Sequence, residues 1–418
     1  MTLVRNSSIL FLTMMVGNFS AYFFQLLMSR LLTTAEFGVM NSCLSLCIIA
    51  GVPSGVILTV MSRYVSKYNT LDDPGRVSYF YKNSLKIVFY LAVSQLLFFV
   101  LLSGPISSYL NISSRYPVML VGLILFLSLI LMANMGALQG LQRFGYMGLN
   151  YGVSGIFRLI AGAILIYLGF GVNGAIAASV VSTLPILILS FFVLRSILGH
   201  SGTPGVEPVA REAIAYTIPV IGALACFYAL ANFDLIMIKH YFNPEEAGIY
   251  SGVAVLGRAL LFLPAAVVLV LFPMVSASHT QNKDTFGILV KGLLLTGMLT
   301  GVGALLYVLV PDFLLSTLLG EKFAVASPLL RLYGFVMLPL ALVNVLINFY
   351  LARSETRFVY ILIVALCLQL GLISIYHGSL FQIIHIMIVV SYLVMIAIVA
   401  MLLVERRQWV ATEAGKVT

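Results

Sequence analysis

Long apolar runs separated by short polar segments dominate the sequence. A helix needs about 20 apolar residues to cross a bilayer, and twelve runs approach that length. The longest connections, Ser62–Asn83 and Arg195–Glu212, are too short for a soluble catalytic domain. The pattern predicts an all-α polytopic membrane protein with about twelve transmembrane helices, at residues 8–29, 37–61, 84–104, 117–138, 146–168, 172–194, 213–238, 247–272, 286–310, 326–351, 358–376 and 379–404.

The composition agrees with this pattern. Hydrophobic residues make up 61% of the chain and charged residues 9%, and the mean hydropathy is +1.09. Soluble domains carry about 25% charged residues, so lipid must cover most of this apolar surface. The formal charge of +9 is explained by topology, because cytoplasmic loops are enriched in Lys and Arg. If both termini are cytoplasmic, sixteen of the 23 basic residues lie on the inner side.

A short polar junction occurs twice, as "SRLLTTAEFGVMNS" (Ser29–Ser42) and "KHYFNPEEAGIYSG" (Lys239–Gly252). The copies align Arg30 with His240, Glu36 with Glu246, Gly38 with Gly248 and Met40 with Tyr250. Each half then holds six spans, and an even number makes the repeat parallel. We expect two six-helix bundles, at residues 1–196 and 212–418, joined by a cytoplasmic linker at 197–211.

The repeated junction has the features of a helix start. Thr33 and Glu36 fit a capping box. In the second copy Asn243 fits the N-cap position, Pro244 the first helical position and Glu246 the third. Both glutamates are therefore interpreted mainly as capping residues, with ion coupling as the lesser interpretation.

The same junction resembles a known family. The junction has an arginine, two leucines, three polar or small residues and then "EFG". This order is similar to that of the polysaccharide flippases (Wzx-like) of the multidrug/oligosaccharidyl-lipid/polysaccharide (MOP) superfamily. "NFDLIMIKHYFNPEEAGIYSG" followed by "LFPMVS" (Leu271–Ser276) resembles the second-half junction of that family. The resemblance implies flipping of an undecaprenyl-diphosphate-linked oligosaccharide across the bacterial inner membrane by alternating access. Expected partners are this lipid, membrane lipids and other polysaccharide assembly proteins, with no nucleic acid and no cofactor.

Three charged residues stand out because they lie deep within predicted spans, where charge is costly and usually functional. Arg158 lies in "GIFRLIAG", Arg258 in "VLGRALL" and Asp234 in "ANFDLIM". Asp234 aligns with Phe24, and Arg258 aligns with an apolar stretch, so the repeat is broken at these positions. Function is a natural reason for such a break.

A diphosphate carries about two negative charges and pairs best with guanidinium groups. Our hypothesis is that Arg158 and Arg258 bind the lipid diphosphate, with Arg30 joining in the outward-facing state. The alternative for Arg258 is a structural pair with Asp234, because their depths in sequential antiparallel helices differ by about 6 Å. Asp234 is also the candidate to carry a coupled proton or Na⁺.

The helix-end residues Lys239 and His240 are expected to reach the surface by snorkelling. His385 is expected to be hydrogen-bonded within the bundle. Further polar residues in the spans either line a sugar path or lock helices together, and sequence leaves that choice open.

The sequence contains no P-loop, no Ser/His/Asp arrangement and no metal-ligand cluster, so we expect no enzyme, no catalytic residue and no metal site. The cysteines at 43, 47, 226 and 367 lie in apolar runs and are interpreted as core residues. The main alternative function is an ion-coupled exporter of drugs or small organic cations on the same fold. That function requires acidic side chains in the cavity, whereas this chain places two arginines and one aspartate within its spans. A structural membrane protein is a weaker alternative, because it leaves the asymmetric charges unexplained.

Overall fold

The computed structural model describes residues 2–198, 211–262, 267–268, 271, 274–275 and 285–417. Regular structure in these residues is helical. By their internal contacts the residues form two compact units, unit 1 (Met1–Thr217 with Phe242–Gly248) and unit 2 (Ile218–Tyr241 with Ile249–Thr418). Residues 199–210 of the expected linker lie outside the described residues, so the predicted division of the chain stays a prediction.

The helices of the first half of the chain follow the predicted spans closely. Because each apolar run must satisfy its own backbone hydrogen bonds in lipid, it forms a helix. In chain order these helices are α1 Thr2–Leu31, α2 Thr34–Ala50, α3 Val52–Thr70, α4 Pro74–Leu101, α5 Ser103–Tyr109, α6 Tyr116–Gly140, α7 Phe144–Tyr167 and α8 Gly171–Leu198.

The second half of the chain is also helical in the residues that the structure describes. A 3₁₀ turn at Ala259–Phe262 follows α10, and irregular helical turns at Leu315–Leu319 and Glu321–Ala326 precede α13. The helices are α9 Arg211–Tyr241, α10 Pro244–Arg258, α11 Phe286–Leu309, α12 Pro311–Leu314, α13 Ser327–Ala352, α14 Val359–Ile375 and α15 Leu380–Val417.

Membrane spans are recognisable by length and composition. In the part of the chain that the structure describes, nine helices are long and apolar enough to cross a bilayer. The shorter apolar helix α14 coincides with a further predicted span. The predicted fold class, an all-α polytopic membrane protein with about twelve spanning helices, is confirmed.

The second predicted span, residues 37–61, is divided into two helices, α2 and α3. Gly51 ends α2, and Pro53 lies in the first turn of α3. The break frees backbone groups that lipid could not satisfy. Gln95 of α4 donates from Nε2 to the carbonyl oxygen of Ala50 at 2.8 Å, so the bend has its own hydrogen-bond partner.

The predicted helix caps are present. The Glu36 N–H donates to Thr33 Oγ1 at 3.2 Å, and the Thr33 N–H donates to Glu36 Oε2 at 3.0 Å, which completes the capping box. The Glu246 N–H donates to Asn243 Oδ1 at 2.9 Å. Glu36 therefore acts as a capping residue, as the sequence indicated.

The paired glycines of the two junctions permit a close helix approach. Gly38 of α2 lies against the backbone of Gly248 at the start of α10, and a Cβ added to Gly38 would lie 3.0 Å from the Gly248 Cα. A Cβ added to Gly248 would overlap the carbonyl oxygen of Thr34. Small residues of this kind let helices pack closely in membranes.

Gly248→Ala is therefore expected to destabilise the protein by about 1–3 kcal/mol, the usual cost of overpacking. Thermal unfolding of the purified protein in detergent measures this change. Gly55→Ala is the matched control, because no atom lies within 4 Å of a Cβ added there. The control should be up to about 1 kcal/mol more stable, since alanine favours helix over glycine. Equal stability of the two variants would show that the contact is not tight.

Candidate functional site

A buried polar cluster in unit 2 surrounds Asp234 of α9. The Asp234 side chain is 0% exposed and pairs with Arg258 of α10, with 2.5 Å between Oδ1 and Nη2. The hydroxyls of Tyr250 and Tyr333 both donate to Asp234 Oδ2, at 2.9 and 2.8 Å. We call these four residues the Asp234 cluster. One oxygen of the Asp234 carboxylate accepts from the guanidinium, and the other accepts from both phenols.

The helix geometry explains why these residues meet. Tyr250 and Arg258 lie eight residues apart on α10, which places them on the same face of the helix. Tyr333 comes from α13 and reaches the cluster because Gly257 has no side chain; a Cβ there would overlap the Tyr333 ring. The two tyrosine rings pack edge to face with centroids 5.8 Å apart.

Arg258 is the least enclosed member of the cluster. Its side chain is 16% exposed, whereas that of Asp234 is 0% exposed. The buried Nε of Arg258 has no hydrogen-bond partner within the described structure. Arg258 is the last residue of α10, and the 3₁₀ turn begins directly after it. The arginine therefore keeps an unused donor.

Arg158 lies in α7 of unit 1 in a different environment. Its guanidinium carbon is 4.8 Å from the centroid of the Phe24 ring on α1. The buried Nε has no hydrogen-bond partner, and in the described ranges the structure gives Arg158 no ion pair. A cation–π contact with one phenylalanine compensates only part of the desolvation of a guanidinium. Arg158 is thus a half-buried cation without an acidic partner in the described residues.

The structure separates the residues singled out from the sequence. Arg30 is exposed at the end of α1, about 9 Å along the helix from Phe24 at 1.5 Å per residue. Arg30 and Arg158 belong to unit 1, and Arg258 and Asp234 belong to unit 2. Of the four, the structure joins Asp234 with Arg258, which is the structural pair that the sequence offered as the alternative for Arg258.

Sequence reasoning missed two members of the cluster and misjudged one helix end. The repeat aligns Tyr250 with Met40, which indicates no role for the tyrosine. Tyr333 lies 99 residues from Asp234, so no local sequence pattern links the two. Lys239 is 1% exposed, so the expectation that it reaches the surface by snorkelling is wrong. His240 and Tyr241, the last two residues of α9, are partly exposed, so the burial concerns the Lys239 side chain.

Several polar side chains in the spans lock helices together. Tyr81 donates to Asn134 Oδ1 at 2.7 Å, and Asn134 Nδ2 donates to Ser190 Oγ at 2.8 Å, which links α4, α6 and α8. Gln369 of α14 donates to the Leu230 carbonyl at 3.2 Å. These residues have structural partners and are not free to line a sugar path.

His385 hydrogen-bonds within its own helix. Its Nδ1 lies 2.7 Å from the Phe381 carbonyl oxygen, in agreement with the expected structural role. The four cysteines form no disulfide. Over the described parts of the chain, no three His, Cys, Asp or Glu side chains come together as a metal site would require.

The sequence matches one family model over much of its length. The model is that of the family described as "Polysaccharide biosynthesis protein", and it matches residues 3–279 of the 418. The chain belongs to the polysaccharide biosynthesis protein family. The matched region of this family member includes Arg30, Arg158, Asp234 and Arg258, and the resemblance seen in the sequence is confirmed.

Solved structures share the fold of this polysaccharide biosynthesis family member. The lipid II flippase MurJ in an inward closed conformation has a TM-score of 0.70 at 12% identity, covering 96% of this chain and 87% of that one. An inward-facing multidrug resistance MATE family transporter of the MOP superfamily has a TM-score of 0.67 at 14% identity, covering 93% and 96%. A MOP superfamily transporter from Pyrococcus furiosus, described as having a binding pocket of reverse polarity, has a TM-score of 0.57 at 15% identity, covering 94% of both chains.

These likenesses establish a MOP fold and do not define a substrate. A search of curated protein sequences returned no match.

Proposed function

We propose that the protein flips an undecaprenyl-diphosphate-linked oligosaccharide from the inner to the outer leaflet of the bacterial inner membrane, in surface polysaccharide biosynthesis. The observation that carries the proposal is Arg158, a cation in a membrane helix that has no acidic partner in the described residues, in a chain of a polysaccharide biosynthesis family. Transport proceeds by alternating access, and no covalent bond is made or broken, so the protein is not an enzyme.

The charges in the spans favour an anionic substrate. A guanidinium presents several N–H donors to a phosphate and keeps its charge even when partly buried. Arg158 is the primary ligand of the lipid diphosphate in this proposal, Arg258 is a second ligand, and Arg30 at the exposed end of α1 contacts it on the outer side. Both termini are cytoplasmic, as the distribution of Lys and Arg predicts.

Export of an organic cation is the second candidate, and the Asp234 cluster argues against it. A cationic drug needs an available carboxylate in the membrane. Asp234 already holds the Arg258 guanidinium and two phenol donors. A drug cation that displaced Arg258 would leave its guanidinium without an anion in the membrane, and a guanidinium cannot neutralise itself by losing a proton.

Transport in reconstituted vesicles tests the proposal. Vesicles containing the protein and a fluorescent undecaprenyl-diphosphate-linked oligosaccharide are treated with a membrane-impermeant quencher, and the protected fraction is followed. We expect the protein to accelerate exchange between leaflets, with protein-free vesicles as the control. Loss of a cationic dye from vesicles that do not flip the lipid would instead support the exporter.

A further inference from the structure

The Asp234 cluster holds two charges that are enclosed to different degrees. Asp234 is fully buried and accepts from three side chains, whereas Arg258 is 16% exposed and has an unpartnered Nε. The carboxylate cannot leave without losing all its partners. If Arg258 moves away, only its hydrogen bond to Asp234 Oδ1 breaks, and the two phenols still donate to Oδ2. Arg258 is therefore the partner that can leave at the lower cost.

We infer that Asp234 and the substrate diphosphate compete for Arg258, so that Asp234 takes up one proton when the substrate binds and releases it when the substrate leaves. This inference rests on the proposed function, and it specifies how the ion-coupling role of Asp234 would operate. The hydrogen bond from Arg258 Nη2 to Asp234 Oδ1 breaks, and a bond from the guanidinium to a phosphate oxygen forms. A proton from water binds Asp234 Oδ1, and the guanidinium stays charged throughout.

The proton follows from the surroundings of Asp234. A buried carboxylate that loses its cation is strongly destabilised, and uptake of a proton offsets part of that cost. The groups that face Asp234 are Tyr250 and Arg258 from α10 and Tyr333 from α13, and Met387 of α15 contacts the Tyr250 hydroxyl at 3.4 Å. In the described structure Arg258 is the one cation paired with Asp234. The tyrosines donate hydrogen bonds but supply no charge.

Tyr250 and Tyr333 are positioning residues in this exchange. Both phenols bind Oδ2, which leaves Oδ1 to alternate between the guanidinium and the proton. Because they come from α10 and α13, they hold the carboxylate in place after Arg258 departs. The site therefore returns to its starting geometry when the substrate leaves.

Proton uptake on binding tests the inference directly. The probe is a short-chain polyprenyl diphosphate carrying one N-acetylglucosamine; the sugar blocks the phosphate oxygen that would itself titrate near neutral pH. The full-length protein in detergent, weakly buffered with a pH indicator, is titrated with the probe. We expect one proton taken up per probe bound, and an affinity that rises up to about tenfold for each unit by which the pH falls, as linkage requires.

Asp234→Asn should bind the probe without proton uptake and with an affinity nearly independent of pH. Asp312→Asn is the matched control, because Asp312 is an exposed carboxylate of the same unit that accepts from Ser327. The control should behave like the unmodified protein. If Asp234→Asn does not fold, the absence of proton uptake by the unmodified protein on probe binding still rejects the exchange.

The outcomes separate this inference from the proposed function. Probe binding with no proton uptake would overturn the exchange and leave the flippase standing. Proton uptake that persists in Asp234→Asn would assign the proton to another group and reject the exchange. Failure of the unmodified protein to bind the probe, with flipping absent in vesicles, would overturn both.

Discussion

Arg158→Ala is expected to abolish flipping without lowering the stability of the protein. The guanidinium lies over Phe24 and has no acidic partner in the described residues. A charge in the middle of a membrane helix costs about 2.5–3.5 kcal/mol on insertion scales, and one cation–π contact returns about 0.5–2 kcal/mol. Removing the side chain should therefore leave stability unchanged or raise it.

The expected loss of transport is large because Arg158 supplies the primary charge for the diphosphate in the proposed function. A hydrogen bond to a charged group contributes about 1.5–3 kcal/mol. Losing two such bonds lowers substrate affinity by more than about a hundredfold. Structural residues behave in the opposite way, since their removal lowers stability first and activity as a result.

The measurement combines the vesicle flipping assay with thermal unfolding of the same preparations. Arg195→Ala is the control, because Arg195 is an exposed arginine of the same unit that stacks on Phe192 at 4.2 Å. It should retain both flipping and stability. Arg158→Lys should recover part of the activity, since it keeps the charge but not the guanidinium geometry. An Arg158→Ala protein that folds and flips at the normal rate would remove Arg158 from the site.

Arg258→Ala should destabilise the protein by about 3–5 kcal/mol, the usual cost of leaving a buried charge without its partner. Asp234 is 0% exposed and would keep only two neutral phenol donors. In the double variant Arg258→Ala with Asp234→Asn, the uncompensated charge is gone, and most of the lost stability should return. A double-mutant cycle isolates this pairwise contribution.

Thermal and denaturant unfolding of the four proteins in the cycle give the coupling. The pair Arg353 and Glu355, with 2.8 Å between Nη2 and Oε1 and side chains 22% and 31% exposed, is the matched control. Its cycle should give a coupling below about 1 kcal/mol, as partly exposed pairs usually do. Similar couplings for the two pairs would mean that the Asp234 cluster is reached by water.

The sequence predicted those features that follow from local rules. Apolar run length located the spans, and the Thr33–Glu36 capping box followed from residue types at fixed spacing. The rise per residue of a helix was enough to predict that Asp234 and Arg258 lie at similar depths, because their two helices are sequential and antiparallel. Tyr333 could not be predicted, since its position depends on how α13 packs against Gly257. The prediction that Lys239 reaches the surface failed for the same reason, because the packing around one side chain leaves no local pattern in the sequence.

The sequence offered the Asp234 pair only as an alternative for Arg258 and could not decide between this pair and a free arginine. Arg158 and Arg258 occupy similar positions in the middle of apolar runs. The difference arises from neighbours distant in sequence, an aspartate for one and a phenylalanine ring for the other. Their roles in transport remain proposals that the variants above test.

The sharing of one carboxylate oxygen by two phenols has a mechanical consequence. Tyr250 and Tyr333 fasten α10 and α13 to the same atom of α9, so sliding any of these helices by a few ångströms would strip the fully buried Asp234 of a donor. The three helices must therefore travel together as one block when unit 2 changes conformation. Bending in that unit therefore has to occur at residues outside the Asp234 cluster, where no hydrogen bond to Asp234 Oδ2 is broken.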